Sequence, residues 1–186
     1  MLENLPASLG TALKDTRPGL DKLTINAREL EAPLSLQVDS TAFGDGAAVP
    51  QRFTADGAGL SPPLRWIGAP DEATCAALIV EDADSPTPNP LVHAIAPLLP
   101  ANGEMAEGAL AGGDGAPPTG RNSYMQHGFL ALDPPPAHGA HRYAFQVFAL
   151  REAPDQPESM GRSALVHWMK SRVLAKGCLI GTYERT

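Results

Sequence analysis

The sequence predicts a mostly β domain with antiparallel strands and peripheral helices. Several apolar runs have the length of strands, one long helical pattern comes late in the chain, and strands do not alternate with helices. The 19 prolines and 18 glycines are spread along the 186 residues, which favours many turns and ordered loops. This length is that of one domain with a real core.

The chain is predicted to begin with an accessory segment, residues 1–33, followed by the main domain, residues 34–186. Within the segment, apolar spacing favours a short helix over 6–14. Alternation of apolar and polar residues predicts a first strand over 34–38, and a second strand is expected over 49–54.

The middle of the chain contains the predicted central strands. Glycines and prolines make 56–63 a loop, and brief alternation over 64–66 indicates a short strand. The continuous apolar run 74–80 is typical of a strand buried on both faces, and 91–99 is predicted to be its neighbour. Residues 104–119 are rich in Gly, Ala and Pro and are expected to form a surface loop.

The last elements are a strand, a helix and a short final strand. Aromatic and β-branched residues over 143–150 give the clearest strand of the chain. Helical spacing predicts a helix over 159–174 that ends before Gly177. Residues 179–183 are predicted to be a final short strand.

Composition and charge exclude several classes of function. The net charge is −7 without a block of Lys and Arg, which argues against nucleic acid and anionic membranes as partners. No apolar run approaches ~18 residues, so we expect a cytoplasmic protein without stable membrane insertion. Cys75 and Cys178 lie far apart in apolar stretches and are expected to be free, buried thiols.

Two carboxylates directly follow the predicted central strand. Asp82 and Asp84 are two residues apart, so in an extended chain both would point into a shared pocket. The alternative is that they stabilise a turn, because Asp-Ser-Pro is common turn chemistry.

Two histidines lie in or beside predicted strands. His93 is surrounded by apolar residues, and His141 comes just before the strand over 143–150. Either could be a core histidine bonded to a carbonyl, but buried imidazoles near carboxylates also suggest a site. The Asp133–Pro136 stretch is expected to form a stiff wall.

Six motifs in a specific order give a family resemblance. They are Ser61-Pro62-Pro63-Leu64-x-Trp66, Glu81-Asp82-x-Asp84-Ser85-Pro86, His93, Gly120-x-Asn122-Ser123, Pro134-Pro135 and Gly139-x-His141-Arg142-Tyr143. Over roughly residues 34–184, the chain resembles the phosphatidylethanolamine-binding protein family, in particular its bacterial YbhB/YbcL, Raf-kinase-inhibitor-like type.

The resemblance implies two antiparallel β-sheets with peripheral helices, a late helix followed by a short strand, and a small pocket at one end. In this family the pocket binds anions such as phosphate, acetate or a phosphoethanolamine head group. The residues that match the family's pocket by position are Asp82, His93 and His141. Those that match its surrounding wall are Asp84, Pro86, Pro135 and Tyr143.

The resemblance also implies partners. Some relatives act on a kinase or a protease, so a phosphorylated group on such a protein is a further candidate ligand. A homodimer is expected from the resemblance, and neither a cofactor nor a metal is expected.

Two departures from the family pattern bear on the site. Ala131-Leu132-Asp133 stands where the family usually has Gly-Pro, and the new carboxylate is expected to reshape the pocket rim. Ser171-Arg172 stands where the late helix usually carries Gly-His.

The like charges of aspartate and phosphate suggest a division of labour. We expect the carboxylates to accept from the imidazole N–H groups, set their tautomers and raise the histidine pKa values. The histidines would then contact the anion, and phosphate affinity would fall as they lose protons.

The competing function is a hydrolase or a metal-dependent site built from the same Asp/His cluster. Ser85 or Ser123 would be the nucleophile. The chain lacks Gly-x-Ser-x-Gly, a phosphate-binding Gly-rich Lys-Ser/Thr loop and His-Glu-x-x-His. A non-enzymatic binding protein is therefore the favoured prediction.

Overall fold

Two antiparallel sheets form the body of the protein, as predicted. The computed structural model describes residues 6–113 and 115–185. One sheet has three strands in the order β1-β2-β5, and the other has four in the order β4-β3-β6-β7. The strands are β1 (Gln37–Asp39), β2 (Leu64–Ile67), β3 (Cys75–Asp82), β4 (Leu91–Leu99), β5 (Gly103–Met105), β6 (His141–Leu150) and β7 (Val173–Tyr183). The α-helices are α1 (Ala7–Ala12) and α2 (Arg162–Met169).

The central strand β3 is buried on both faces. All eight of its residues are buried, and it pairs with β4 on one side and β6 on the other. Leu78 and Val80 pack toward the three-stranded sheet, whereas Ala77 and Ile79 pack on the opposite side, under the N-terminal segment and α2. Burial on both faces explains why this stretch is continuously apolar rather than alternating.

The N-terminal segment packs on the four-stranded sheet through a buried polar network. The Glu81 carboxylate accepts from the Thr24 amide at 2.7 Å and the Thr24 hydroxyl at 2.9 Å. Gln146 accepts from the Ile25 amide at 2.6 Å, and Lys176 Nζ donates to the Ile25 carbonyl at 2.7 Å. These bonds satisfy polar groups that would otherwise be costly to bury.

The strand predicted over 49–54 is wrong. Gln51–Phe53 is instead a single 3₁₀ turn, and only isolated bridges form at Ala48 and Thr54. The Thr54 hydroxyl donates to the Gln51 carbonyl at 2.9 Å and closes the turn. Pro50 before the turn lacks a backbone N–H, which also disfavours a sheet ladder here.

The helix predicted over 159–174 is too long. The helix covers only Arg162–Met169, and Val173–Tyr183 is one strand paired along β6. Gly177 lies inside that strand, where a Cβ would come within 2.2 Å of the Leu36 carbonyl oxygen. The glycine therefore permits a close backbone approach and does not end a helix.

Two further sequence expectations concern cysteine and membranes. Cys75 and Cys178 are both free; the first is buried and the second partly buried. Burial raises the pKa of the Cys178 thiol to about 12, so it stays protonated. Within residues 6–113 and 115–185, no helix has the length and apolar character needed to cross a membrane.

Candidate functional site

A cavity of about 130 Å³ lies where β3 ends and β4 begins. Asp82, the last residue of β3, pairs in register with Leu91, the first residue of β4. Loop residues close the other sides. The lining residues are Ala55, Asp82, Leu91, His93, Tyr124, Gln126, Leu130, Ala131 and Asp133.

The structure brings the predicted pocket residues together. Asp82 and His93 line the cavity, and His141 lies behind Asp82 with no exposed surface. The Tyr143 ring lies between the two histidines: its centroid is 5.3 Å from that of His93, edge-on, and 6.2 Å from that of His141, stacked. Pairing of β3 with both β4 and β6 places these side chains at one end of the sheet.

Asp82 is held by two N–H donors. Its Oδ2 accepts from His141 Nδ1 at 2.7 Å, and its Oδ1 accepts from the Asp84 amide at 2.8 Å. The Asp82 carboxylate therefore supports the His141 ring, as expected from the sequence. Such a charge-assisted bond orients both partners.

His138, which the sequence reasoning missed, extends this arrangement. Its Nδ1 lies 2.7 Å from His141 Nε2, and its Nε2 lies 2.9 Å from the Leu13 carbonyl oxygen. We call Asp82, His141 and His138 the histidine row. His141 therefore has no nitrogen left to contact an anion directly, contrary to the expectation.

The histidine row links the Asp82 carboxylate to the Leu13 carbonyl through three consecutive hydrogen bonds. The Leu13 carbonyl can only accept, so His138 Nε2 carries the proton of the last bond. Burial lowers the pKa of His138 despite this bond. The row therefore orients both imidazole rings between the end of β3 and the N-terminal segment.

His93 differs from the expectation in its partner and its protonation. Its Nδ1 donates to the Leu130 carbonyl at 2.8 Å, so a backbone group and not an aspartate sets its tautomer. Its Nε2 is buried and has no hydrogen-bond partner among the described residues. Burial lowers the pKa of His93, although Asp82 acts in the opposite direction. His93 is therefore neutral, with a lone pair on Nε2.

Asp84 does not share the cavity with Asp82. The chain turns directly after β3, and the Asp84 carboxylate binds Arg142 Nε and Nη2, each at 2.7 Å. Arg17 Nη1 lies 3.2 Å from the same carboxylate. Burial raises the pKa of Asp84, but the Arg142 bonds outweigh it and hold this pKa below its usual value. Asp84 thus ties the N-terminal segment to β6.

The two wall prolines lie outside the cavity lining. Pro86 is half-buried in the turn after Asp84, and Pro135 is buried. The Pro135 carbonyl accepts from the His138 amide at 3.3 Å, so this proline supports the histidine row.

Asp133, the departure from the family pattern, does line the cavity. Its Oδ1 accepts from Arg185 Nη1 at 2.8 Å, and Arg185 Nε also binds the Asp56 carboxylate at 2.9 Å. Arg185 therefore joins the two loops that carry Ala55 and Asp133. No motif in the sequence pointed to Arg185, because its partners are distant along the chain.

The two candidate nucleophiles are engaged elsewhere. Ser85 Oγ lies 2.8 Å from Thr87 Oγ1, and Ser123 Oγ accepts from the Val92 amide at 2.8 Å. Neither serine hydroxyl is bonded to a histidine among the described residues. In the same part of the chain, no group of three or more His, Cys, Asp or Glu side chains is arranged to hold a metal ion.

Comparison with known proteins gives consistent relatives. A family model described as phosphatidylethanolamine-binding protein matches residues 39–184. A UPF0098 protein from Mycobacterium bovis is 35% identical over 184 residues, which cover 96% of this chain and 78% of that protein. A UPF0098 protein from Pyrococcus horikoshii is 33% identical over 159 residues, covering 83% of this chain and 79% of that one.

Two solved structures share the fold. A phosphatidylethanolamine-binding protein homolog from Chlamydia trachomatis superposes with a TM-score of 0.74 at 30% identity. Escherichia coli YbcL superposes with a TM-score of 0.72 at 26% identity. Each comparison covers 82% of this chain and 99% of the other.

Proposed function

Because the chain belongs to the phosphatidylethanolamine-binding protein family, we propose that its cavity binds a small phospho-group and catalyses no reaction on it. The observation that carries the proposal is the His93 Nε2 atom, buried without a partner on a ring that lines the cavity. An unpaired buried polar atom is costly, and a ligand that bonds to it removes that cost.

The proposed contacts follow from the geometry. Asp82 and His93 face the ligand, whereas His141 and Tyr143 form the layer behind them. The volume of about 130 Å³ suits a phosphate-sized group rather than a whole lipid. Candidate ligands are free phosphate, a phosphoethanolamine-like head group and a phosphorylated side chain.

The proposal of a non-catalytic site rests on the surroundings of the histidines. A hydrolase of the Ser-His-Asp type needs a nucleophile within hydrogen-bond reach of the imidazole. Here the atom bonded to His141 Nε2 is His138 Nδ1, which is not a hydroxyl or thiol. The Asp-His pair therefore resembles part of a triad, but among the described residues no hydroxyl or thiol is bonded to His141 Nε2.

Binding of a phosphorylated partner, such as a kinase or protease, belongs to the same proposal, as does a homodimer. Affinity purification with wild-type protein and with a His93→Asn variant separates pocket-dependent partners from others. Light scattering over a range of concentrations tests the dimer, and a monomer mass throughout would exclude it.

Calorimetric titration with phosphate and phosphoethanolamine tests ligand binding. The His93→Asn change keeps an amide that can donate to Leu130 but removes Nε2. Loss of a bond to a charged ligand costs ~1.5–3 kcal/mol, so affinity should fall ~10–100-fold.

The matched control for this titration is His127→Asn. His127 also bonds to a loop carbonyl, that of Thr119, but does not line the cavity. This variant should bind like the wild type. Absence of binding by the wild-type protein at millimolar ligand would overturn the proposal, as would hydrolysis of a phosphomonoester that depends on His141.

A further inference from the structure

Three side chains that line the cavity, each from a different element of the fold, are hydrogen-bond acceptors. Asp82 ends β3, His93 lies on β4, and Asp133 lies on the loop before β6. An anion without a proton would meet lone pairs from all three of these side chains, which limits the phospho-groups that the cavity can bind.

Asp82 offers only lone pairs to the cavity. Both of its oxygens accept N–H groups, one from His141 and one from Asp84. The proton of the Asp82–His141 bond lies between these two side chains. It is therefore directed away from a ligand.

His93 offers a lone pair as well. The Leu130 carbonyl is an acceptor, so the single ring proton must be on Nδ1. The desolvated ring at 2% exposure disfavours a second proton, in agreement with its lowered pKa. Nε2 consequently has to receive a hydrogen bond and cannot donate one.

Asp133 adds a negatively charged acceptor to the same lining. Its carboxylate accepts from Arg185 Nη1 at 2.8 Å, and this charge-assisted bond orients it. Among the described lining residues, the side chains that can donate to ligand oxygens are Tyr124 and Gln126, on the loop between β5 and β6. Burial raises the pKa of Tyr124, so this phenol retains its proton.

We propose that the cavity selects a ligand that carries its own proton donor, so that hydrogen phosphate and singly ionised phosphomonoesters bind in preference to sulfate and phosphodiesters that lack a donor. This inference rests on the proposed binding of a phospho-group. The P–O–H group donates to His93 Nε2 or a carboxylate, while the other ligand oxygens accept from Tyr124 and Gln126. An acceptor site of this kind rejects an analogue that lacks the proton, because buried lone pairs would then face each other.

Phosphate and sulfate provide the test. At about pH 8, well above the second ionisation of phosphate, both are dianions of similar shape, and only phosphate retains a proton. Calorimetric titration of the full chain with each anion should give at least ~100-fold tighter binding of phosphate. A second pair, methyl phosphate and dimethyl phosphate, is compared at about pH 5, below the second ionisation of a phosphomonoester. Both are then monoanions, only methyl phosphate carries a proton, and methyl phosphate should bind more tightly.

The variant Asp133→Asn replaces one acceptor with an amide that can donate. We expect it to bind sulfate more tightly and to reduce the phosphate-to-sulfate ratio by ~10-fold or more, the effect of one bond to a charged group. The matched control is Asp56→Asn, because Asp56 also binds Arg185 but does not line the cavity. This control should keep the wild-type ratio.

The outcomes separate the two proposals. Equal affinity of the wild-type protein for phosphate and sulfate would overturn the donor requirement and leave phospho-group binding in place. Binding of neither anion, nor of a phosphomonoester, would overturn the proposed function itself. A ratio that falls equally in Asp133→Asn and Asp56→Asn would assign selectivity to Arg185 and refute the role given to Asp133.

Discussion

The neutral state of His93 predicts a specific dependence of stability on pH. An unfolded histidine has a pKa of about 6.5, whereas burial lowers the pKa of His93 in the folded protein. Between these two values only the unfolded chain binds the proton, so acid favours unfolding. The stabilising contribution is present above about pH 6.5 and is lost as the pH falls toward the folded pKa.

The magnitude follows from proton linkage. Each pH unit between the two pKa values changes the free energy of unfolding by about 1.4 kcal/mol per histidine. Over 1.5 units, from about pH 6.5 to 5, the contribution of His93 amounts to at most about 2 kcal/mol. Urea denaturation at several pH values measures this directly.

The variant His93→Asn isolates this contribution from other titrating groups. The variant has no imidazole at position 93, so only the wild type loses the His93 contribution in acid. The difference in unfolding free energy between wild type and variant should therefore shrink by up to about 2 kcal/mol between neutral pH and about pH 5. His127→Asn controls for the loss of a histidine bonded to a carbonyl. The reasoning is refuted if the difference is constant with pH, or if it grows in acid, since a growing difference would mean that folded His93 is charged.

Two further predictions concern the support of the site. His138→Ala leaves the Leu13 carbonyl and His141 Nε2 without their hydrogen-bond partner. The free energy of unfolding should therefore fall by about 2 kcal/mol or more. Limited proteolysis should then cleave the N-terminal segment faster. An unchanged rate of cleavage would contradict the inference that His138 holds this segment in place through Leu13. Gly177→Ala forces a Cβ to within 2.2 Å of a backbone oxygen and should lower the melting temperature markedly. Gly44→Ala, which has open space, should not; equal effects of the two changes would show that the close approach is unimportant.

The central strands could be predicted from the sequence because strands that are buried on both faces consist of continuous apolar runs. The strand predicted over 91–99 covers the same residues as β4, and the run over 74–80 overlaps β3, which covers Cys75–Asp82. The first strand was predicted over 34–38 but lies at Gln37–Asp39. Alternation identifies residues able to form a strand, but the partner strand decides which of them do so.

The late helix shows the limit of periodicity. Val173 and Leu174 continue a helical spacing, yet they begin the strand β7. The ten residues of β6 provide a partner for almost the whole of β7, and this tertiary pairing overrides local preference.

The candidate site could be predicted only in part. The family pattern indicated Asp82, His93 and His141, which the structure places together. His138 has no comparable signal, because a histidine between Ala and Gly in a loop shows no periodicity. Its importance comes from Leu13, whose carbonyl it contacts across 125 residues of sequence.

The N-terminal segment also has a consequence for the order of folding. Thr24 bonds to Glu81 across 57 residues, Ile25 to Gln146 across 121, and Lys176 to Ile25 across 151. Contacts this distant in sequence form slowly, because long loops must close first. During synthesis, the segment that contains Thr24 and Ile25 leaves the ribosome before β7, and it reaches its final position only after β7 has been made.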